Sequence, residues 1–494
     1  MNQETKDGKR LVWAVQGFDG GLVTNYPKHA LRGDQSPDAE NFDPSQRYMI
    51  KKRYGTSNFS GDKGAPTGTL IRGIYAFTFN NGTTRFLAKE GTAIHDIQAG
   101  DWATTLTGLT VADGDEMYAC MLNNLIIVTN SGLDAPVTAT DTGNFSALGG
   151  SPPTAIYNCV HRRKVWLANT SADPSSLYYS ATDNQADWTT SNDAGSLSVS
   201  KGDGYVINGL ESDGDVLYIS KMAPGGYEGA IYALFGNIPS EYEIRRIAWF
   251  GAVSQRAMCR LSKFVAVATP RGVYGLSGIH LVHLSDAVDK TILDLTDAQR
   301  AKIACAGYKD QLHVAYPASG STNTKTMVVD LKTSRWSRYA YGASNIVAGS
   351  YCVHPNGNLY GAATGTTIRV VRHDDSATQA DIGSTAVAMY WKTPDVDFGK
   401  WFADKHDSDF ALHTLTSQTT LTWTLTHDID GVDSGDSVTF VPASASPVKK
   451  FWGQKSEKHG RFWQWKIAES SSSAAEAYGF QASVVEFPLT RQGA

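Results

Sequence analysis

Strand-length apolar runs recur in pairs between about Leu70 and Arg372, each pair joined by a polar turn. MYACMLNNLIIVTN, IYNCVHRRKVWLAN, AMCRLSKFVAVAT, IACAGYKDQLHVAY and SYCVHPNGNLYGAA each end the first run near a cysteine: Cys120, Cys159, Cys259, Cys305 and Cys352. VINGLESDGDVLYIS fits the same frame with Gly209 in that slot, and IYAFTFNNGTTRFLA fits with Ala76. Successive slots lie 39 to 50 residues apart, the period of a β-propeller blade of four short strands. Strands nearest a propeller axis are crowded, so small residues fit there. The second run of each pair is apolar throughout because it is covered on both faces. Seven slots predict seven blades, or six if the poorest-fitting first unit belongs elsewhere.

A second element keeps phase with the first. GDWATTL, ADWTTSN and SRWSRYA place Trp102, Trp188 and Trp336 between 26 and 31 residues after the slots of their units. A tryptophan there is expected to cap the outer part of a blade against its neighbour.

The pattern changes outside this region, so the chain is read as all-β in three parts. Residues 1–66 are an irregular, Gly/Pro-punctuated lead with too little apolar area to fold alone. They are expected to pack on the propeller or donate a strand that closes it. Residues 67–380 form the propeller. In residues 381–494, MYWKTPDVDFG, LTWTLTHD, DSVTFVPA, GRFWQWKI and YGFQASVVEF read as strands of an antiparallel β-sandwich or jelly roll. Six of the twelve tryptophans (391, 401, 423, 452, 463 and 465) lie there, and GRFWQWKI puts Trp463 and Trp465 on one face.

Composition narrows the function. The net charge is −5, and the only basic run to consider, Lys51-Lys52-Arg53, is short, so affinity built on phosphate neutralisation is not expected. The charged N-terminus lacks the apolar core of a signal peptide, and no apolar run approaches a membrane span. Five scattered cysteines without a CxxC pair argue against a disulfide framework or a structural zinc site. The chain is therefore expected to be made in a reducing cytoplasm, with no membrane insertion.

Candidate chemistry is sparse. HDIDGVDSGDS gathers Asp428, Asp430, Asp433 and Asp436, a candidate cation loop, but its spacing is not that of an EF-hand and a hydrated hairpin explains it as well. His161-Arg162-Arg163-Lys164 reads as a solvated hairpin turn, and His373-Asp374-Asp375 as the end of a strand. No dinucleotide, phosphate-loop, nucleophile-elbow or zincin motif occurs. No catalytic residue, cofactor or metal is assigned.

The ends of the chain carry a family likeness. GFDGGL, SPDAENFDP and KKRYG at the start, with WKTPDVDFG and GRFWQWKI…VVEF at the end, resemble tail nozzle (tail tubular protein B-like) virion proteins of short-tailed bacteriophages. The resemblance implies a homo-hexameric ring in the virion tail, built in the host bacterial cytoplasm and placed below the head–tail adaptor protein. It implies that double-stranded DNA passes through the channel without sequence-specific binding, and that tail fibre or spike proteins are partners. It supplies no catalytic residues. Two other readings are a carbohydrate-binding tail-tip or fibre-associated receptor-recognition protein, and a propeller glycoside hydrolase. For the hydrolase, YSATDNQADW (Tyr179 to Trp188) has part of a sialidase Asp-box but lacks its glycine and does not recur.

Overall fold

The computed structural model describes all residues except 1–3, 6–7, 65, 67, 69, 132–133, 227, 263, 342–347, 364–367, 383, 401–404, 415–420, 442–447 and 487–494. The chain is all-β apart from short helical turns such as Asp289–Leu293 and Asp297–Arg300. It divides into a propeller unit (Thr56–Met327 and Ala343–Asp375) and a sandwich unit (Met1–Gly55, Val328–Gly342 and Ser376–Ala494).

Seven four-stranded sheets follow one another. Their innermost strands are Ile71–Thr78, Met117–Leu122, Ala155–His161, Val206–Ser212, Met258–Arg260, Ala304–Tyr308 and Ala348–Val353. Each expected slot residue, from Ala76 to Cys352, lies on one of these strands. Each inner strand touches the next, and the seventh touches the first, so the ring closes at seven blades rather than six. The fourth strand of the seventh sheet is Gly55–Asn58, which joins Val370–Asp375 from far along the chain. The lead segment thus supplies the strand that completes the last blade.

The chemistry of each blade explains its strand order. Second strands such as Leu217–Met222 and Val265–Thr269 are buried at every position, hence their largely apolar make-up. Several inner hairpins turn on two successive residues with positive φ: Asn123-Asn124, Arg162-Arg163 and Lys309-Asp310. That geometry matches the twist of the flanking strands. Apolar clusters fill the space between blades. Ile71, Ile74 and Phe86 of the first blade share one with Tyr360, Ala362 and Val370 of the seventh. Trp102 and Trp188 pack against the clusters that their blades share with the preceding blade, the position their phase predicts.

Two antiparallel sheets make the sandwich unit. One has the order Glu4–Thr5, Gly8–Gln16, Glu476–Glu486, Lys405–Thr414, Val448–Gly460, with Ile50–Lys51 also paired to Glu476–Glu486. The other runs Val432–Phe440, Trp423–Ile429, Trp463–Glu469, Met389–Lys392, Ala39–Glu40. The sandwich therefore differs from a domain of residues 381–494 alone, because strands from the first 51 residues complete both sheets. Trp391, Trp423, Trp463 and Trp465 are all fully buried in it. Trp401 lies outside the described residues, as does the side chain of Trp452. Among the described residues no helix is long and apolar enough to cross a membrane.

Candidate functional site

The motifs at the two ends of the chain meet in the sandwich unit. Phe18 of GFDGGL and Phe42 of SPDAENFDP pack edge-on against Trp391 of WKTPDVDFG, with ring centroids 5.4 and 5.3 Å away. Asp38 accepts from the Tyr390 hydroxyl at 2.8 Å and pairs with Arg338. Burial raises its pKa, but the bond from Tyr390 and the positive charge of Arg338 win, so its carboxyl stays below the usual range.

The basic run Lys51-Lys52-Arg53 is consumed in this junction. Lys51 pairs with Glu476 at 2.9 Å, Lys52 pairs with Glu469, and Arg53 pairs with Asp381 at 2.8 Å. The Lys52–Glu469 and Arg53–Asp381 pairs are buried. Three successive cations thus clamp three separate strands or turns of the C-terminal half. This gives a physical reason why the run is not a patch for phosphate.

The propeller unit has a second candidate on its axis, a cavity of about 250 Å³. Its wall comes from the inner strands of the first five blades and includes Tyr75, Tyr118, Cys120, Asn158, Cys159, Glu211 and Arg260. Near Tyr75 and Tyr118 an ion pair crosses the ring. Arg256, entering the fifth blade, holds Glu116 at the second (2.9 Å) and donates to the Gly349 carbonyl of the seventh (2.7 Å). Arg72 of the first blade approaches the same carboxylate at 3.5 Å. This strut braces blades far apart in sequence and bars the axis to anything as wide as a nucleic acid duplex.

Burial governs the chemistry of the inner strands. It pushes the Cys120, Cys305 and Cys352 thiols up to about 12, so these cysteines are inert packing residues at neutral pH. All five are free thiols. Burial likewise raises Glu211 from 4.5 to about 7, against the downward pull of the Ser212 amide and Arg260. Its folded pKa is raised, so the stability it contributes is full below about pH 4.5 and is lost as pH climbs through 7. Glu211→Gln should therefore match the parent in stability at pH 4 but exceed it by about 1–2 kcal/mol at pH 8.5. That figure is discounted for water in the open cavity. Urea unfolding at both values checks this, and a difference independent of pH would refute it.

The residues singled out from sequence have different fates. Asp428, Asp430, Asp433 and Asp436 lie along the Trp423–Ile429 to Val432–Phe440 hairpin. Asp430 sits at its turn, where its carboxylate accepts from the Arg461 and Phe462 amides. Asp433 accepts from the Gly435 amide. Among the described residues no group of three or more His, Cys, Asp or Glu is placed to hold a metal ion. In His161-Arg162-Arg163-Lys164 only the arginines are solvated. His161 is buried against Ser212 at 2.8 Å, and buried Lys164 donates to the Ser180 and Asp193 carbonyls. In the Asp-box-like loop, Asp187 accepts from Thr189 and Asn192 within its own turn. Glu211, Arg260 and Asn158 were missed from sequence, although the polar residue two places after Gly209 on an axial strand was a usable signal.

No family model matches the chain, and no curated protein matches it. Solved structures give weak likenesses. The extracellular domain of a hybrid two component system from B. thetaiotaomicron aligns at TM-score 0.44 and 10% identity over 65% of this chain. This chain spans 40% of that one. BBS1N in complex with ARL6DN gives 0.42 and 11%, over 66% of this chain and 98% of that one. A catalytically inactive virginiamycin B lyase from Staphylococcus aureus, with quinupristin, gives 0.41 and 10%, over 65% and 99%. Likenesses this low carry no functional argument.

Proposed function

We propose that the chain is a structural component of a bacteriophage tail, a nozzle ring below the head–tail adaptor that conducts and retains genomic DNA. The observation that supports this reading most is the junction of the terminal motifs. The residues that carry the resemblance to nozzle proteins, among them Phe18, Asp38, Lys52, Arg53 and Trp391, are engaged in packing and buried ion pairs of the sandwich unit. Motifs of that kind preserve a shape, as a virion part requires, rather than a reacting centre. The net charge of −5 suits a conduit that lets phosphate pass. The conduit in this reading lies between subunits of a closed cyclic oligomer, since Arg256 and Glu116 bar the propeller axis.

In this reading the chain is not an enzyme, and it works in the virion through contacts with copies of itself, the adaptor, and fibre or spike proteins. Electron microscopy of the purified chain should show rings with sixfold views. Monomers at every concentration, together with selective retention on a glycan array, would instead favour a receptor-recognition protein.

A further inference from the structure

The axial cavity contains more polar capacity than the propeller uses. Asn158, on the third inner strand, is only 6% exposed. Its Nδ2 donates to the Tyr118 carbonyl at 2.9 Å and to Thr129 Oγ1 at 3.0 Å, while its Oδ1 has no partner. A buried acceptor left so is costly unless something donates to it. Glu211, on the fourth inner strand, accepts the Ser212 amide on Oε1 at 3.3 Å, and Oε2 has no protein donor among the described residues. Arg260, on the fifth, makes no ion pair or side-chain hydrogen bond among the described residues and borders the same cavity. Two other polar lining groups are already engaged. Both ends of the Gln255 amide bond Leu210, and Ser212 Oγ meets His161.

We infer that this cavity is a binding site for a small zwitterion, an α-amino acid or a molecule bearing the same pair of groups. The ammonium is taken by Glu211 and Asn158 Oδ1, and the carboxylate by Arg260. Opposite charges on neighbouring inner strands match the opposite ends of such a molecule. A neutral polyol would satisfy Asn158 but offer no counter-charge to Glu211 or Arg260. A space of about 250 Å³ takes a molecule of that size, and Tyr75, Tyr118, Cys120 and Cys159 offer an apolar wall for a short side chain. Burial holds the Glu211 carboxyl high despite the Ser212 amide and Arg260, and an ammonium directly beside it would restore its ionised form. The site is independent of ring assembly and goes beyond the structural reading above.

Thermal shift and calorimetry on the full chain test it, with the standard amino acids, methylamine, acetate and glucose as probes. At least one amino acid should bind one per chain, more tightly than methylamine, acetate or glucose. Arg260→Met and Glu211→Gln should each weaken it about tenfold or more, the loss expected for a hydrogen bond to a charged group. Arg260 is exposed, so its replacement should leave the fold intact, verified by an unchanged circular dichroism spectrum. The proposal is overturned if no amino acid binds, if glucose binds as well, or if both variants bind like the parent.

Discussion

Asp381→Asn should destabilise the sandwich unit by about 3–5 kcal/mol, because it strips the partner from a buried cation that cannot neutralise itself. Arg53 faces Asp381 with both terminal nitrogens, at 3.0 and 2.8 Å. The pair is 3% and 1% exposed. The remaining donors of Arg53 are spent on Asn41 Oδ1 (2.9 Å) and on the carbonyls of Tyr54 (2.8 Å) and Ala340 (3.0 Å), and its plane lies over the Tyr341 ring. Burial opposes the charge, yet Asp381 outweighs it and raises the Arg53 pKa further. The amide of an asparagine has nearly the carboxylate's shape and none of its charge, so the loss measures electrostatics rather than packing. Arg53→Met combined with Asp381→Leu should recover most of the stability, since an apolar pair of similar volume avoids desolvation altogether. Glu243→Gln, whose bond to Arg245 is exposed on both sides, should show no measurable loss. Urea unfolding followed by tryptophan fluorescence compares the variants, and a loss below about 1 kcal/mol for Asp381→Asn would contradict the clamp.

The propeller was legible because its physics is periodic. Axial crowding asks for a small residue once per blade, and the answer, from Ala76 through Gly209 to Cys352, repeats at a spacing that few other folds use. The sandwich was legible only in its C-terminal strands. Leu11, Trp13 and Val15 alternate as a strand should, but their partners, Val484, Ala482 and Phe480, lie at the other end of the chain. Nothing local to residues 8–16 encodes that pairing. The same holds for Lys51-Lys52-Arg53, whose charges are visible in sequence while their acids, 328 and more positions later, are not. The cavity was hidden for a different reason. Cys120, Cys159 and Gly209 mark the axis, but which neighbouring polar groups remain without partners depends on how the blades turn their inner strands. Glu211 and Asn158 differ from satisfied polar residues only in what surrounds them.

Trp465→Ala should cost the sandwich unit about 3–5 kcal/mol, comparable with breaking the clamp but by a separate mechanism. Trp465 is fully buried and sits where the two sheets face each other. Its ring lies near-parallel to Trp13 at 6.0 Å and to Trp463 at 6.2 Å, tilts against Phe480 at 5.7 Å, and meets Phe398 edge-on at 6.0 Å. Trp13 and Phe480 belong to one sheet and Trp463 and Trp465 to the other, so removing the indole opens a cavity on the seam between sheets. Its Nε1–H has no hydrogen-bond partner among the described residues. Trp465→Phe should therefore cost only about 1–2 kcal/mol, since it loses volume but also removes a buried donor that nothing accepts. Because Trp13 leans on Trp465, the alanine variant should also loosen the strand Gly8–Gln16 from Glu476–Glu486. Amide exchange in residues 10–16 is expected to speed up there, while Val265–Thr269, deep in the propeller unit, keeps its protection. Equal losses for Phe and Ala would mean that the ring volume contributes little at the seam, and unchanged exchange at residues 10–16 would mean that the first strand is held by its backbone bonds alone.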